Sequence, residues 1–217
     1  MTTPETERRQ VADRIARRAN RAGLQIDSLL QDALAAYLDL LLRWNRRINL
    51  TALTDDDPGI DRLVIEPLVA ARRLPMPDAV VTDIGSGGGS PAVPMKLAAP
   101  AVRLRMVESR TRKAAFLREV VRRLRLEQTT VEACRYEELA ARQELAGQSG
   151  VVSVRAVRTG ARMLDRIEPL VKDDGLVFLF GSTRGSVDAI PPPWRVDAAY
   201  PLLDPASRLV VLRKRRR

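Results

Sequence analysis

One nine-residue segment, DIGSGGGSP at positions 83–91, constrains the fold of this chain more than any other. It follows the β-branched run 80–82 and precedes the apolar segment 92–97, so a strand, a glycine turn and a helix are predicted in that order. Because glycine lacks a Cβ, the turn can adopt positive φ and a ligand can approach its backbone. This order of elements is typical of a crevice that binds a nucleotide or nucleoside-like molecule.

The spacing of the glycines indicates which kind of nucleotide site this is. Dinucleotide-binding loops follow Gly-x-Gly-x-x-Gly or Ala, and the sixth position here is Ser90, so that pattern fails. The pattern Asp-x-Gly-x-Gly-x-Gly is complete, with Asp83, Gly85, Gly87 and Gly89. That spacing is the usual first motif of S-adenosylmethionine-dependent methyltransferases.

A second acid supports the same interpretation. The next predicted strand, 102–107, ends immediately before Glu108, where a carboxylate can accept hydrogen bonds from both ribose hydroxyls of an adenosine. An ordinary tight turn and a solvated acid would explain the glycines and Glu108 separately. Their combination in a strand–loop–helix–strand order favours binding of S-adenosyl-L-methionine.

The composition excludes several kinds of chemistry. The chain has 217 residues, no histidine and a single cysteine, Cys134. These counts exclude Ser-His-Asp and Cys-His nucleophiles, an internal disulfide and a Cys-cluster zinc site, and we expect no metal site. Methyl transfer to a good lone pair requires little proton shuttling and is compatible with these absences.

The charge of the chain predicts a polyanionic partner. The formal net charge is +10, and basic residues cluster at 8–21, 43–47, 110–125 and 213–217. The alternative is an arginine-rich chain whose basic faces are merely solvated. No apolar run approaches the roughly twenty residues that span a membrane, and the N-terminus lacks a signal-peptide pattern. We therefore expect a cytoplasmic protein with no membrane partner, and a monomer.

The hydrophobic pattern divides the chain into two parts. Residues 1–74 are predicted to form an N-terminal helical extension, in which Asp27 or Ser28 caps an amphipathic helix. Residues 75–217 are predicted to form an S-adenosylmethionine-dependent methyltransferase domain. Its predicted strands are 79–84, 102–107, 129–133, 150–155 and 175–180, and its predicted helices are 91–99, 110–125, 136–146 and 160–172.

The end of the chain completes the predicted fold class. Segments 195–200 and 208–213 have no helix between them and should pair as an antiparallel hairpin. A parallel α/β sheet that ends in such a hairpin is the seven-stranded, Rossmann-like class I methyltransferase architecture. A dinucleotide-binding domain would normally continue with helices between its strands.

Several motifs together resemble one known family. They are WNRRINLT at 44–51, the glycine loop with Val93-Pro94, ES-x-x-RK-x-x-FL at 108–117, RYEE at 135–138 and VRAV at 154–157. The chain resembles, from about Leu24 to Leu212, the bacterial small-subunit (16S) rRNA guanine-N7 methyltransferases, also called glucose-inhibited division protein B. The first of these strings is fairly specific to that family.

The resemblance implies a reaction and further site residues. It implies methylation of N7 of a guanine in 16S rRNA, presented as RNA or in the small ribosomal subunit, with S-adenosyl-L-methionine as donor. It implies that Gly85 and Ser90 contact the cofactor and that Tyr136 and Glu137 lie against its adenine. Arg155 would lie by the methionine end or the target base, unless it forms only a surface ion pair. Because N7 carries a lone pair and no proton, we expect no catalytic acid or base.

The chain departs from the family pattern at three places. The family usually has Arg-His-Ile-x-Asp-Ser where this chain has RLVIEP at 62–67, and Leu-Lys-Gly where it has LFG at 179–181. Its glycine loop has Gly88 and Ser90 where Pro and Leu are usual. These departures mark a divergent member and leave two alternatives open: a methyltransferase with a different acceptor, and a non-catalytic RNA-binding or ribosome-assembly factor that retains the fold.

Overall fold

Seven strands form one sheet in the computed structural model, which describes residues 4–52, 56–75, 78–155, 160–182, 190–205 and 207–216. The strands are β1 Val80–Ile84, β2 Arg103–Val107, β3 Thr129–Glu132, β4 Ser149–Arg155, β5 Val171–Ser182, β6 Trp194–Pro201 and β7 Ser207–Lys214. Their order is β3-β2-β1-β4-β5-β7-β6. The first five are parallel, and β7 runs antiparallel to both β5 and β6. The predicted fold class and terminal hairpin are confirmed.

Helices precede the sheet and connect its parallel strands. The α-helices are α1 Pro4–Arg21, α2 Ser28–Ile48, α3 Asp57–Ile60, α4 Glu66–Ala71, α5 Ala92–Ala98, α6 Thr111–Arg123, α7 Tyr136–Ala140 and α8 Ala161–Ile167. A π-helical turn, Asp61–Ile65, joins α3 to α4. The helix predicted over 160–172 is too long, because Pro169 lies in a 3-10 turn that separates α8 from β5. The helix predicted over 136–146 ends at Ala140 and is followed by a 3-10 turn, Gln143–Leu145.

Alternating strand residues supply two hydrophobic cores, one on each face of the sheet. Val151 and Phe178 pack with residues of α1, α2, α5 and α6, whereas the adjacent Val152 and Val177 pack with residues of α7 and α8. This two-residue alternation is what a sheet covered on both faces requires. The three layers therefore follow from the alternation along each strand.

The N-terminal helices pack onto the first of these cores. Asp27 caps α2 by accepting a hydrogen bond from the backbone N–H of Leu30, at 2.8 Å. Tyr37 and Leu41 of α2 are fully buried in the same core as Phe116 of α6. The division of the chain between residues 74 and 75 stays a prediction. Within the part of the chain that the structure describes, no helix is both long and apolar enough to cross a membrane.

The sheet order fixes the place of a crevice. From β1 the chain adds β2 and β3 on one side, and β4 then pairs on the other side of β1. Ligands of open α/β sheets bind at this kind of switch point, at the carboxyl ends of the strands. The glycine loop leaves the carboxyl end of β1, and Arg155 ends β4. The last two residues of the VRAV segment, 156 and 157, lie outside the described residues.

Candidate functional site

The glycine loop leaves β1 in a conformation that only glycine adopts easily. Gly85, Gly87 and Gly89 have φ values of +69°, +51° and +87°. The backbone N–H groups of Gly85 and Ser86 both donate to the carbonyl of Val107, at 2.9 and 3.0 Å, and so tie the loop to the end of β2. Backbone hydrogen bonds therefore fix the start of the loop.

We expect Gly89→Ala to lower the free energy of unfolding, measured in urea, by about 1–3 kcal/mol. The substitution adds a Cβ in a crowded position to a residue with a left-handed backbone conformation. That Cβ would lie 2.9 Å from Cγ2 of Val93. Gly147→Ala is the matched control, since Gly147 has φ +64° and open space around its Cβ position. Gly147→Ala would therefore introduce the strain of a left-handed backbone conformation but no steric clash of the new Cβ. Equal losses in the two variants would contradict the close packing of the loop on α5.

The Glu108 carboxylate faces the glycine loop. It accepts hydrogen bonds from the backbone N–H of Gly87 at 2.9 Å and of Arg110 at 2.8 Å. Its side chain therefore lies between the loop and the start of α6. Each carboxylate oxygen has further acceptor capacity, because one hydrogen bond uses only part of its lone-pair density. Glu108 can thus hold the loop and still accept from a ligand hydroxyl.

A cavity of about 200 Å³ lies beside the loop, at the carboxyl ends of the first three strands. Three residues expected from the sequence line it: Gly85, Tyr136 and Glu137. The other lining residues are Ile84, Val107, Ser109, Cys134 and Arg135. Ser109 and Arg135 are not among the site residues predicted from the sequence, although both closely follow a predicted strand end. The cavity has apolar walls from the strand ends and polar groups at its rim.

Asp83 is fully buried at the end of β1. Ser153 of β4 donates to its Oδ1 at 2.6 Å, whereas Oδ2 has no hydrogen-bond partner among the described residues. Burial raises the pKa of this carboxyl to about 6, against the opposing hydrogen bond from Ser153. A buried acceptor without a partner is costly, so Oδ2 is a candidate contact for a cationic or hydrogen-bonding ligand group.

The cavity lining does not include the other six residues expected from the sequence, which are Asp83, Gly87, Gly89, Ser90, Glu108 and Arg155. Arg155 and Ser90 instead join the loop to the π-helical turn. Arg155 forms an ion pair with Glu66 at 2.9 Å, and its guanidinium lies 4.4 Å from the ring centroid of Phe180. It also donates to the carbonyl of Arg62 and, at 3.3 Å, to Ser90 Oγ. The Ser90 hydroxyl donates to the carbonyl of Leu63 at 2.9 Å.

The Arg155–Glu66 pair is buried and not at the surface. Its side chains are 10% and 1% exposed. Burial lowers the pKa of Arg155 to about 10, so the guanidinium remains charged at neutral pH. Burial also raises the pKa of Glu66, although Arg155 opposes this shift. Glu66 is not among the site residues predicted from the sequence, because a pairing across 89 residues leaves no local signal.

Helix α2 covers the loop from the N-terminal side. The hydroxyl of Tyr37 donates to the carbonyl of Gly88 at 2.7 Å. Asn45 Oδ1 accepts from the backbone N–H of Leu50 at 2.6 Å and of Thr51 at 2.9 Å, which turns the chain after α2. This turn brings Leu50 against Gly88. The asparagine of the WNRRINLT string at 45 thus has a structural role in placing the chain over the loop.

Comparisons with known proteins agree on one family. A GidB family model, described as rRNA small subunit methyltransferase G, matches residues 30–187. The ribosomal RNA small subunit methyltransferase G of Xylella fastidiosa (strain 9a5c) is 34% identical and covers 88% of this chain and 91% of its own length. Its namesake from Syntrophotalea carbinolica is 32% identical over 81% of this chain and 80% of its own.

A solved structure shares the fold at much lower identity. The TYW2 protein of P. horikoshii, solved in complex with MeSAdo, aligns with a TM-score of 0.55 and 11% identity. The alignment covers 76% of this chain and 65% of that one. This likeness concerns the fold alone.

Proposed function

The chain belongs to the family described as rRNA small subunit methyltransferase G, and we propose that it transfers a methyl group from S-adenosylmethionine to N7 of a guanine in 16S rRNA. The observation that carries the proposal is the positive-φ glycine loop, which is hydrogen-bonded to the Glu108 carboxylate and lies beside the cavity lined by Gly85, Tyr136 and Glu137. The acceptor follows from the family and from the net charge of +10, which favours a polyanionic substrate.

The residues present fit an S-adenosylmethionine. The cavity lined by Gly85, Tyr136 and Glu137 is bounded by the apolar strand ends that an adenine ring requires. Glu108 can accept from the ribose hydroxyls. Asp83 Oδ2, for which the described residues provide no hydrogen-bond donor, suits the ammonium of the methionine portion. When bound, the cofactor supplies an electrophilic methyl group.

We assign three kinds of role to the site residues. Gly85, Gly87 and Gly89 give the cofactor access to the loop backbone. Glu108, Tyr136 and Glu137 hold its adenosine, and Asp83 holds its methionine portion. Ser90 and Arg155 fix the loop against the π-helical turn, beside the place where the target base would enter.

Methyl transfer to guanine N7 depends on the alignment of the two reactants more than on proton transfer. N7 of guanine carries an in-plane lone pair and no proton, so no base is needed to activate it. The chain has no histidine to act as one. The protein's contribution would be to orient the two reactants and to exclude water from the reacting atoms. We propose that no single side chain is an obligatory acid or base.

Two measurements test the proposal on the purified protein. We expect calorimetry to show one S-adenosylmethionine site, and radiolabelled methyl groups to appear in small-subunit rRNA as N7-methylguanine. Binding without transfer to any rRNA preparation would support the alternative of a different acceptor. Absence of cofactor binding would support a non-catalytic RNA-binding or assembly factor. We further propose that the protein acts as a cytoplasmic monomer.

We expect the affinity for S-adenosylmethionine to fall about tenfold between pH 7 and pH 5. Burial raises the pKa of Asp83 to about 6, and only its charged form attracts the ligand ammonium. Because the chain lacks histidine, few other groups titrate in this range. Asp83→Asn should bind more weakly at pH 7 and lose the pH dependence, as measured by calorimetry. A variant that retains the full dependence would contradict this role.

A further inference from the structure

A second concave surface, separate from the cofactor crevice, lies between α2 and α6 and encloses about 600 Å³. We name it the arginine groove. Its floor is apolar: Leu40, Trp44 and Ile48 recur every four residues on α2 and so lie on one helix face. All three are half-buried, and the Trp44 ring packs against Phe116 with centroids 5.7 Å apart.

The rim of the arginine groove carries four arginines, Arg43, Arg46, Arg47 and Arg123. The carboxylate of Glu119, also in the lining, already accepts from Arg122 and Arg123 at 2.8 Å. Arg43 pairs with Asp39, also at 2.8 Å.

Two of these arginines have no acidic partner among the residues that the structure describes. Within the described parts of the chain, the exposed side chains of Arg46 and Arg47 form no hydrogen bond or ion pair. The rim of the groove is therefore positively charged, and two guanidiniums can bind an external anion without first breaking an internal pair.

The arginine groove lies close to the glycine loop. Leu50 packs on Gly88 of the glycine loop, with its Cβ 3.6 Å from where a Cβ on Gly88 would lie. Arg47 precedes Leu50 by three residues, so their Cα atoms are at most about 11 Å apart. A chain lying in the groove would therefore lie within a short span of the glycine loop.

We propose that the arginine groove binds a single-stranded segment of the RNA substrate, with phosphates on the arginines and a base on the apolar floor. This inference rests on the proposed function and adds to it a specific contact surface. Single-stranded RNA is bound through unstacked bases on aromatic or apolar side chains together with phosphate contacts, and arginine suits bidentate phosphate contact. An acidic peptide would use the rim and leave the floor empty, and a concave surface does not fit a membrane.

The test compares two double variants that lose the same charge. Arg46→Gln/Arg47→Gln removes the free guanidiniums of the groove. Arg103→Gln/Lys172→Gln removes two exposed cations at the opposite, amino edge of the sheet. The probe is an unstructured 20-nucleotide RNA, and its dissociation constant is measured by fluorescence anisotropy at several salt concentrations.

We expect the groove variant to bind this RNA about tenfold more weakly, and the slope of log K against log salt to fall by about 0.7 per arginine removed. The edge variant should bind like the wild type. Equal losses in the two variants would mean that binding follows net charge, and would overturn the proposal. Polyglutamate and poly(U) can each be added as competitors of the labelled RNA. If polyglutamate displaces the RNA as strongly as poly(U) does at equal charge, the proposal would also be overturned.

A Trp194→Phe background leaves Trp44 as the chain's one tryptophan. The RNA should then quench the fluorescence of Trp44, and unchanged fluorescence at saturating RNA would contradict contact with the floor.

Cofactor calorimetry and methyl transfer by the wild type, measured in parallel, distinguish the proposed function from the proposed RNA groove. A wild type that transfers no methyl while the groove variant loses RNA affinity refutes the proposed function alone. Normal methyl transfer with unaltered RNA binding by the groove variant refutes the groove alone.

Discussion

Replacing Glu108 by alanine is expected to weaken S-adenosylmethionine binding by more than about a hundredfold. In the proposed site the Glu108 carboxylate would accept hydrogen bonds from two ribose hydroxyls, and hydrogen bonds to a charged group contribute about 1.5–3 kcal/mol each. The same change removes the acceptor for the backbone N–H groups of Gly87 and Arg110, so the empty loop loses support as well. Isothermal titration calorimetry measures the loss of affinity.

Two further variants separate the ribose contacts from general effects. Glu108→Gln keeps one strong acceptor and should bind with intermediate affinity. Glu127→Ala removes an exposed acid that immediately follows α6 and its connecting turn, and should bind like the wild type. Thermal unfolding of all three variants shows whether the fold persists. A folded Glu108→Ala protein with wild-type cofactor affinity would refute the assignment of Glu108 to the ribose.

Replacing Glu66 by alanine should destabilise the protein by about 3–5 kcal/mol, because it leaves the buried Arg155 guanidinium without a counter-charge. Arg155 cannot reach water without moving off Phe180 and away from the carbonyl of Arg62. Urea unfolding at pH 7 measures the change. A loss below about 1 kcal/mol would mean that Arg155 has another counter-charge or an exit to solvent.

The matched control removes both charges. Glu66→Leu/Arg155→Met should recover most of the stability lost in Glu66→Ala, because an apolar pair needs no desolvation of charge. If the single variant fails to fold, recovery in the double variant still tests the explanation. A double variant no more stable than the single variant would assign the loss to the packing of the π-helical turn instead.

The glycine loop and the succession of strands and helices along the chain could be predicted because their causes are local. The spacing of Gly85, Gly87 and Gly89 reflects backbone conformations that the chain must adopt at that turn. The alternation of strands and helices reflects burial on both faces of the sheet. Glu108 could be placed because it directly follows the strand next to β1.

The contacts that position Arg155 could not be predicted, because they join distant segments. Its partner Arg62 lies in the π-helical turn, and its partner Glu66 begins α4. The spacing of hydrophobic residues in the sequence does not indicate a π-helical turn. Lysine side chains are seldom buried, yet Lys96 and Lys214 are both buried and donate to backbone carbonyls. The shortened helix before β5 was detectable in principle, since Pro169 interrupts it.

The most direct test of the central claim is the mapping of N7-methylguanine in small-subunit rRNA from cells with and without this gene. We predict one guanine that carries the methyl group only when the gene is present, and its restoration by the wild-type gene but not by the Glu108→Ala gene. Identical N7-methylation patterns in the presence and absence of the gene would contradict the account.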